Sequence, residues 1–375
     1  MSGKARISRR NVLKVAGIAA ATTALPRVAF AQTNTAVTRA VDWAKQSLPN
    51  STADTINGAA KEGKLVLTLQ QFGTDETTVA LIKKFRERYP FIDVTYTAQN
   101  GVQIMQKFAA EHIAKKGITD YLQLPSNALD VNRLIDQGAL TPFVISQDSA
   151  FPDVAKGQRG YWYPWLRQHN ATAYRKGALN EEEKKLIRTF KGLVDPRFKG
   201  RLGILSANTS NALMGSYILQ TDSDASLWQG LAANKPKIMA SSLPMIDGLL
   251  SGEFDIALMC GFPTAAVSAR TGAPLEFVIT SPSPIMYAPG AISSLAPNPN
   301  AAKLWQDWGM SKEGQDSWVE LVGVPSARND ATKPWAEQQS WFFNDLAAQK
   351  QVNWSDFSSK EKEVLGRYQK DLQNA

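Results

Sequence analysis

A short apolar run, Lys64-Leu65-Val66-Leu67-Thr68-Leu69, opens a strand–helix–strand pattern that constrains the fold more than any other feature. The run ends in Gln70-Gln71-Phe72-Gly73-Thr74 and reads as a buried strand followed by a turn. From Thr77 to Arg88, Val79, Leu81, Ile82 and Phe85 recur at helical spacing, with Lys83, Lys84, Arg86 and Glu87 between them. Pro90 ends that helix, and Phe91-Ile92-Asp93-Val94-Thr95-Tyr96 is the next strand. Such a unit, about thirty residues long, predicts a parallel sheet with helical crossovers.

The alternation continues. A helix is expected over Gln103–Ala114, a strand over Tyr121–Leu124 and a helix from Pro125-Ser126-Asn127 to Gln137. An extended segment follows at Ala171–Tyr174, then a helix over Lys184–Phe190 and a strand over Leu202–Leu205. Asn208-Thr209-Ser210-Asn211 offers N-caps for a helix through Leu219. Beyond it come a helix over Leu243–Leu250, strands over Glu253–Met259 and Leu275–Ile279, and a helical end carrying Trp305 and Trp308. The Pro/Ser-rich stretch Thr280–Pro289 reads as a crossing between lobes. A chain of 375 residues with 43% hydrophobic and 20% charged residues has enough apolar material for two lobes.

The net charge of +8 is concentrated at the start. Lys4, Arg6, Arg9, Arg10, Lys14 and Arg27 precede any acid; without them 36 basic residues face 34 acidic ones, a balance of +2. The body therefore makes no electrostatic case for nucleic acid or a membrane surface. Ser8-Arg9-Arg10-Asn11-Val12-Leu13-Lys14 matches the twin-arginine export pattern, with Val12 where phenylalanine is commonest. The apolar stretch Val15–Leu25 is too short for a bilayer core that needs roughly twenty residues. Ala29-Phe30-Ala31 supplies a small-x-small cleavage site. Residues 1–31 are thus expected to be a twin-arginine signal peptide, and residues 32–58 a polar extension. The mature protein is expected in the periplasm.

The phosphate-loop, H-E-x-x-H and G-x-S-x-G patterns do not occur in the sequence. Cys260, ending an apolar strand, reads as a packed small residue; His112 and His169 read as surface residues. Glu181-Glu182-Glu183 reads as a solvated helix start.

Several stretches together resemble the bacterial extracellular solute-binding proteins of family 1, the ferric-binding-protein-like group. They are Ala59-Ala60-Lys61-Glu62-Gly63-Lys64-Leu65, Leu193-Val194-Asp195-Pro196-Arg197-Phe198-Lys199-Gly200-Arg201-Leu202-Gly203, Gly252-Glu253-Phe254-Asp255-Ile256-Ala257, and Ala296-Pro297-Asn298-Pro299-Asn300-Ala301-Ala302-Lys303 with Ser311-Lys312-Glu313-Gly314-Gln315. The resemblance implies an α/β, two-lobed periplasmic-binding-protein fold of type II with a ligand cleft between lobes joined by crossing strands. It implies a first lobe over 59–165, a second over 166–282 and a return to the first over 283–375. It also implies a non-enzymatic, monomeric subunit without cofactor, delivering a small polar or anionic solute to an inner-membrane ABC permease. Ferric iron or an iron complex is the alternative within the family; a cofactor-carrying exported enzyme is the alternative from another class.

Helices that begin just after parallel strands present free N–H groups and positive dipole ends to a ligand. Gln71, Thr74, Ser126, Asn127, Thr209 and Ser210 are the expected contacts on this ground, although the same residues also suit plain caps and turns. Tyr163 and Trp165 could stack on a ligand or pack at the lobe junction, and Tyr287 lies in the returning crossing. Ferric-binding members carry adjacent tyrosines where this chain reads Cys260-Gly261-Phe262-Pro263-Thr264. Thr264 stands in their place, so no metal site is expected. Arg167 and Arg270 are candidate partners for a carboxylate or phosphate.

Overall fold

The computed structural model describes residues 25–70, 75–99, 101–124, 126, 128–221 and 225–373. The twin-arginine motif lies outside them, and the expected cleavage point after Ala31 falls within the first helix.

The first lobe opens with α1 (Leu25–Ser47) and α2 (Ala53–Glu62). The 32–58 stretch is thus helical and packed: Ala40, Ala44 and Leu48 recur every four residues and are buried, as are Ile56 and Ala59. Alanines at that spacing let α1 lie close to its neighbours, which a search for large apolar residues misses. The Thr52 side chain caps α2, and Gly63 ends it at φ 65°, a left-handed conformation that glycine adopts without strain.

Strand β1 (Lys64–Gln70), helix α3 (Asp75–Arg88) and strand β2 (Asp93–Gln99) form the expected parallel unit, paired from Lys64↔Asp93 to Gln70↔Gln99. Then come α4 (Gly101–Ile113), β3 (Tyr121–Gln123), α5 (Ala128–Asp136), β4 (Leu140–Thr141) and β5 (Tyr163–Gln168). One face of this sheet holds a nest of rings. Trp165 lies 5.6 Å from Trp305 and 5.3 Å from Trp318, and Phe85 lies 5.1 Å from Trp305, between ring centroids. On the other face α4 and α5 close over Leu122, Leu124 and Ala291.

After Gln168 the chain crosses to β6 (Asn170–Arg175), in a second sheet. There follow α6 (Glu181–Leu186), α7 (Phe190–Leu193), β7 (Leu202–Leu205), α8 (Ser210–Thr221), α9 (Ala225–Ala233), β8 (Lys237–Met239), α10 (Ser242–Ser251), β9 (Ile256–Gly261), α11 (Phe262–Arg270) and β10 (Leu275–Val278). The second sheet runs β10-β6-β9-β7-β8. The acidic run sits inside α6, because Asn180 and Glu183 form a reciprocal capping box; Thr189 then caps α7 separately.

The chain returns through β11 (Pro284–Ser293). This strand pairs with β3, β4 and β5 and completes a sheet ordered β12-β11-β3-β1-β2 once β12 (Lys350–Gln351) joins it. Helices α12 (Pro299–Met310) and α13 (Lys312–Val322) cover the first lobe. The rest departs from a simple return to that lobe. Trp341 and Phe342 pack on Phe277, and α14 (Trp354–Tyr368) lies along α8, where Tyr217 donates to Asp356 Oδ2 (2.8 Å). The apolar faces of this tail have their complementary surface on the second lobe.

The stretches that carry the family resemblance are joined in space. Glu62 accepts from the backbone N–H groups of Asn300 and Ala301 (3.1 and 2.8 Å), capping α12 from α2. Arg201 bridges Glu183 and Asp255 (2.6 and 2.7 Å), locking the start of β7 beside that of β9.

Candidate functional site

The carboxyl ends of β3 in the first sheet and of β9 in the second meet the crossing at Gln168–Asn170, where Asn170 pairs with Gly261. Ser126, just past β3, donates to Gln168 Oε1 (3.3 Å), and Gln168 Nε2 donates to Asn211 Oδ1 (3.1 Å) at the start of α8. Asn211 Nδ2 donates to Asn170 Oδ1 (2.7 Å), whose own Nδ2 donates to the Asn211 carbonyl (2.7 Å). A line of hydroxyl and amide groups thus runs from one lobe, over the crossing, to the other. Ser126, Gln168 and Asn170 are all less than a tenth exposed. A β-carbon on Gly261 would sit 3.4 Å from Ser242 Oγ, 3.7 Å from Thr264 Oγ1 and 3.9 Å from Gln168 Nε2, so these groups converge on the end of β9. None of these residues carries a charge.

Of the expected contacts, the structure brings Ser126 and Thr264 to this place. Thr209 spends its hydroxyl on α8, donating to Ser206 O (2.9 Å) and accepting from Ala212 N (3.3 Å), and Ser210 is exposed beside it. Gln71, Thr74 and Asn127 lie outside the described residues. Tyr163 and Trp165 are corrected: both are wholly buried. Tyr163 donates to Asp148 Oδ1 (2.6 Å) and Trp165 to Tyr121 Oη (2.7 Å), so their rings build the first lobe. Tyr287 is half-buried and accepts from Gln351 Nε2 (3.2 Å), opening instead on a cavity of about 510 Å³ outside the amide line. Arg167 faces Glu337 at 4.0 Å. Arg270 on α11 donates to the carbonyls of Glu320 and Leu321 at the end of α13, and so clasps the second lobe to the first.

Sequence reasoning missed Gln168, Asn170 and Ser242, and it named Asn211 only as a cap. The signal that could have found them is the polar Gln168-His169-Asn170 run between two apolar strands. His169 is corrected too: it is buried in the crossing, not on the surface. Neither ring nitrogen makes a well-directed hydrogen bond, the Pro284 carbonyl compensating only in part. Desolvation and then the nearby Arg167 charge lower its pKa to about 3, so the ring is neutral. The Cys260 thiol, buried at the end of β9, is pushed up to about 12 by desolvation and is no nucleophile at neutral pH. Among the described residues no group of three His, Cys, Asp or Glu side chains is placed to hold a metal. No described helix is long and apolar enough to cross a membrane.

Comparison with known proteins supports the architecture. The substrate-binding protein of an ABC transporter from Agrobacterium tumefaciens is 18% identical with a TM-score of 0.65, covering 80% of this chain and 94% of that one. Iron-bound HitA from Pseudomonas aeruginosa is 18% identical (TM-score 0.63; 80% and 99% covered). The periplasmic binding protein AfuA from Actinobacillus pleuropneumoniae, with exogenous fructose-6-phosphate bound, is 19% identical (TM-score 0.63; 84% and 99% covered). At that identity the likeness establishes the two-lobed type II periplasmic-binding-protein fold. An uncharacterized protein of Haemophilus influenzae is 33% identical over 141 residues, 36% of this chain, and the chain spans 40% of that curated relative's length. Residues 80–343 match the family described as bacterial extracellular solute-binding protein, so the chain belongs to that family.

Proposed function

We propose that this protein is the periplasmic, monomeric capture subunit of an ABC importer. It closes its lobes on a small polar or anionic solute and hands it, chemically unchanged, to an inner-membrane permease after export by the twin-arginine route. One observation carries this reading: the uncharged Ser126–Gln168–Asn211 line, with Gly261, Ser242 and Thr264 beside it, spans both lobes where helices begin. Such groups offer donors to oxygen-rich solutes and acceptors to hydroxyl-bearing ones. They supply neither the thiolate nor the carboxylate cluster that a catalyst or a protein-built iron site would use.

The energetics allow it. Shifting a lobe equilibrium from 1:99 to 99:1 takes about 5.5 kcal/mol of differential affinity, and a micromolar solute binds with about 8 kcal/mol. A thermal-shift screen across oxyanions, phosphonates, carboxylates, polyamines and ferric complexes tests it. A true solute raises the midpoint as RT ln(1 + [L]/Kd) requires, and Gln168→Ala blunts the rise. Turnover of any stabilising compound, or a metal held by the purified protein, would refute the reading.

A further inference from the structure

We infer that the 510 Å³ cavity onto which Tyr287 opens is a second ligand site, built for a flat aromatic anion. Its aromatic walls come from three separate segments: Tyr161 and Trp162 from the loop before β5, Tyr287 from the returning crossing, and Trp354 from the start of α14. Two cations, Lys156 and Arg159, line it, and among the described residues no acid does. Lys156 is already matched by Asp148 (2.5 Å) and Asp153 (3.4 Å). Among the described residues Arg159 has no hydrogen-bond or ion-pair partner, and it is held at φ 57°, a conformation that costs a non-glycine residue about 1 kcal/mol or more. Its neighbour Gly157 has no room for a side chain, because a β-carbon there would meet the Trp162 indole at 2.5 Å. The loop is therefore shaped to lay an indole against backbone and to aim an unmatched guanidinium at a ring-lined space.

Ring walls and an unmatched guanidinium select a planar ring with a carboxylate, since aromatic side chains stack on flat rings and arginine both stacks and pairs bidentately. The site also spans moving parts. Trp354 lies 6.0 Å from Phe357, which lies 5.5 Å from Tyr217 on α8 of the second lobe, whereas Tyr161 and Trp162 pack with the α4–α5 core of the first. An aromatic anion bound here bridges the lobes from outside the amide line and biases their closure.

The test is isothermal titration of the full chain with indole-3-acetate, with tryptamine (same ring, opposite charge) and acetate (same charge, no ring) as controls. Indole-3-acetate should bind with Kd below about 1 mM, and the controls should not. Arg159→Gln and Trp354→Ala should each weaken binding about tenfold. Arg159 is exposed, so its variant should keep the wild-type circular dichroism and thermal midpoint. Asn211→Ala, which alters only the amide line, should leave this titration unchanged. No binding of indole-3-acetate, equal binding of tryptamine, or loss with Asn211→Ala but not with Arg159→Gln would each overturn the assignment. None of these results bears on whether the cleft takes its own solute.

Discussion

Acid should destabilise this protein through one residue of the crossing. His169 has a folded pKa of about 3 against an ordinary 6.5. Because the folded value is depressed, the unfolded chain takes up a proton first as pH falls, and stability drops throughout the window from about 6.5 to about 3. Between pH 7 and about pH 4.5 the unfolded chain takes up this proton and the folded one does not, a loss of roughly 2 to 3 kcal/mol from this ring alone. The carboxylates add their own acid sensitivity, so the measurement must be a difference. Urea unfolding of wild type and His169→Gln, run in parallel across that range, isolates the ring. The gap between their unfolding free energies should change by roughly 2 to 3 kcal/mol, wild type falling faster. Parallel curves, within about 0.5 kcal/mol, would mean that the imidazole reaches water or a partner in the folded state and that the crossing is not dry there.

Asn211→Ala removes bonds to both Gln168 and Asn170 and should weaken the cleft solute by about tenfold or more in calorimetry, with circular dichroism unchanged. Gly290→Ala would drive a methyl to 1.9 Å from Tyr121 Oη and 2.4 Å from Trp165 Nε1, both in a closed core, so urea unfolding should show a loss of about 3 kcal/mol. Arg270→Ala frees α11 from the end of α13 and should enlarge the radius of gyration by small-angle scattering, with solute affinity falling about tenfold. Iodoacetamide at about pH 8 should leave Cys260 unmodified in the folded protein and label it fully in urea, as mass spectrometry can read.

The strand–helix–strand unit was legible because its apolar residues follow two clean periods, and the resemblance supplied the second lobe. What the sequence hid has physical causes. Helix α1 buries alanines at Ala40 and Ala44, whose small side chains give little amphipathic contrast. The glutamates do start α6, but its end was misplaced, because Lys184–Phe190 reads as one helix until Thr189 is recognised as the cap of a second. The route of the tail was unreadable in principle. Trp341, Phe342 and Phe357 announce that they will be buried, but hydrophobicity is non-directional and says nothing of which lobe receives them.

The site was less legible than the fold, for a related reason. The stretches that identify the family are framework: Glu62 caps α12, and Asp255 holds Arg201. They locate the lobes without touching the gap between them. The position of Ser126 and Thr264 at the lobe junction could be read because a polar residue directly after a buried strand has a defined place at the sheet edge. Gln168 and Asn170 follow no such rule. Their position depends on the crossing being buried, and that burial comes from residues more than a hundred positions away, the Asn170 N–H donating to Ser283 Oγ (3.1 Å). Tyr163 and Trp165 mislead in the opposite direction, since large rings near a lobe junction serve packing and stacking equally well on paper. Only the bonds of their polar tips to Asp148 and Tyr121 separate the two roles, and those partners lie in other strands and turns. A polar residue in this fold therefore acquires its place at the lobe junction from what the second lobe leaves uncovered, a property of two surfaces meeting rather than of any local run of residues.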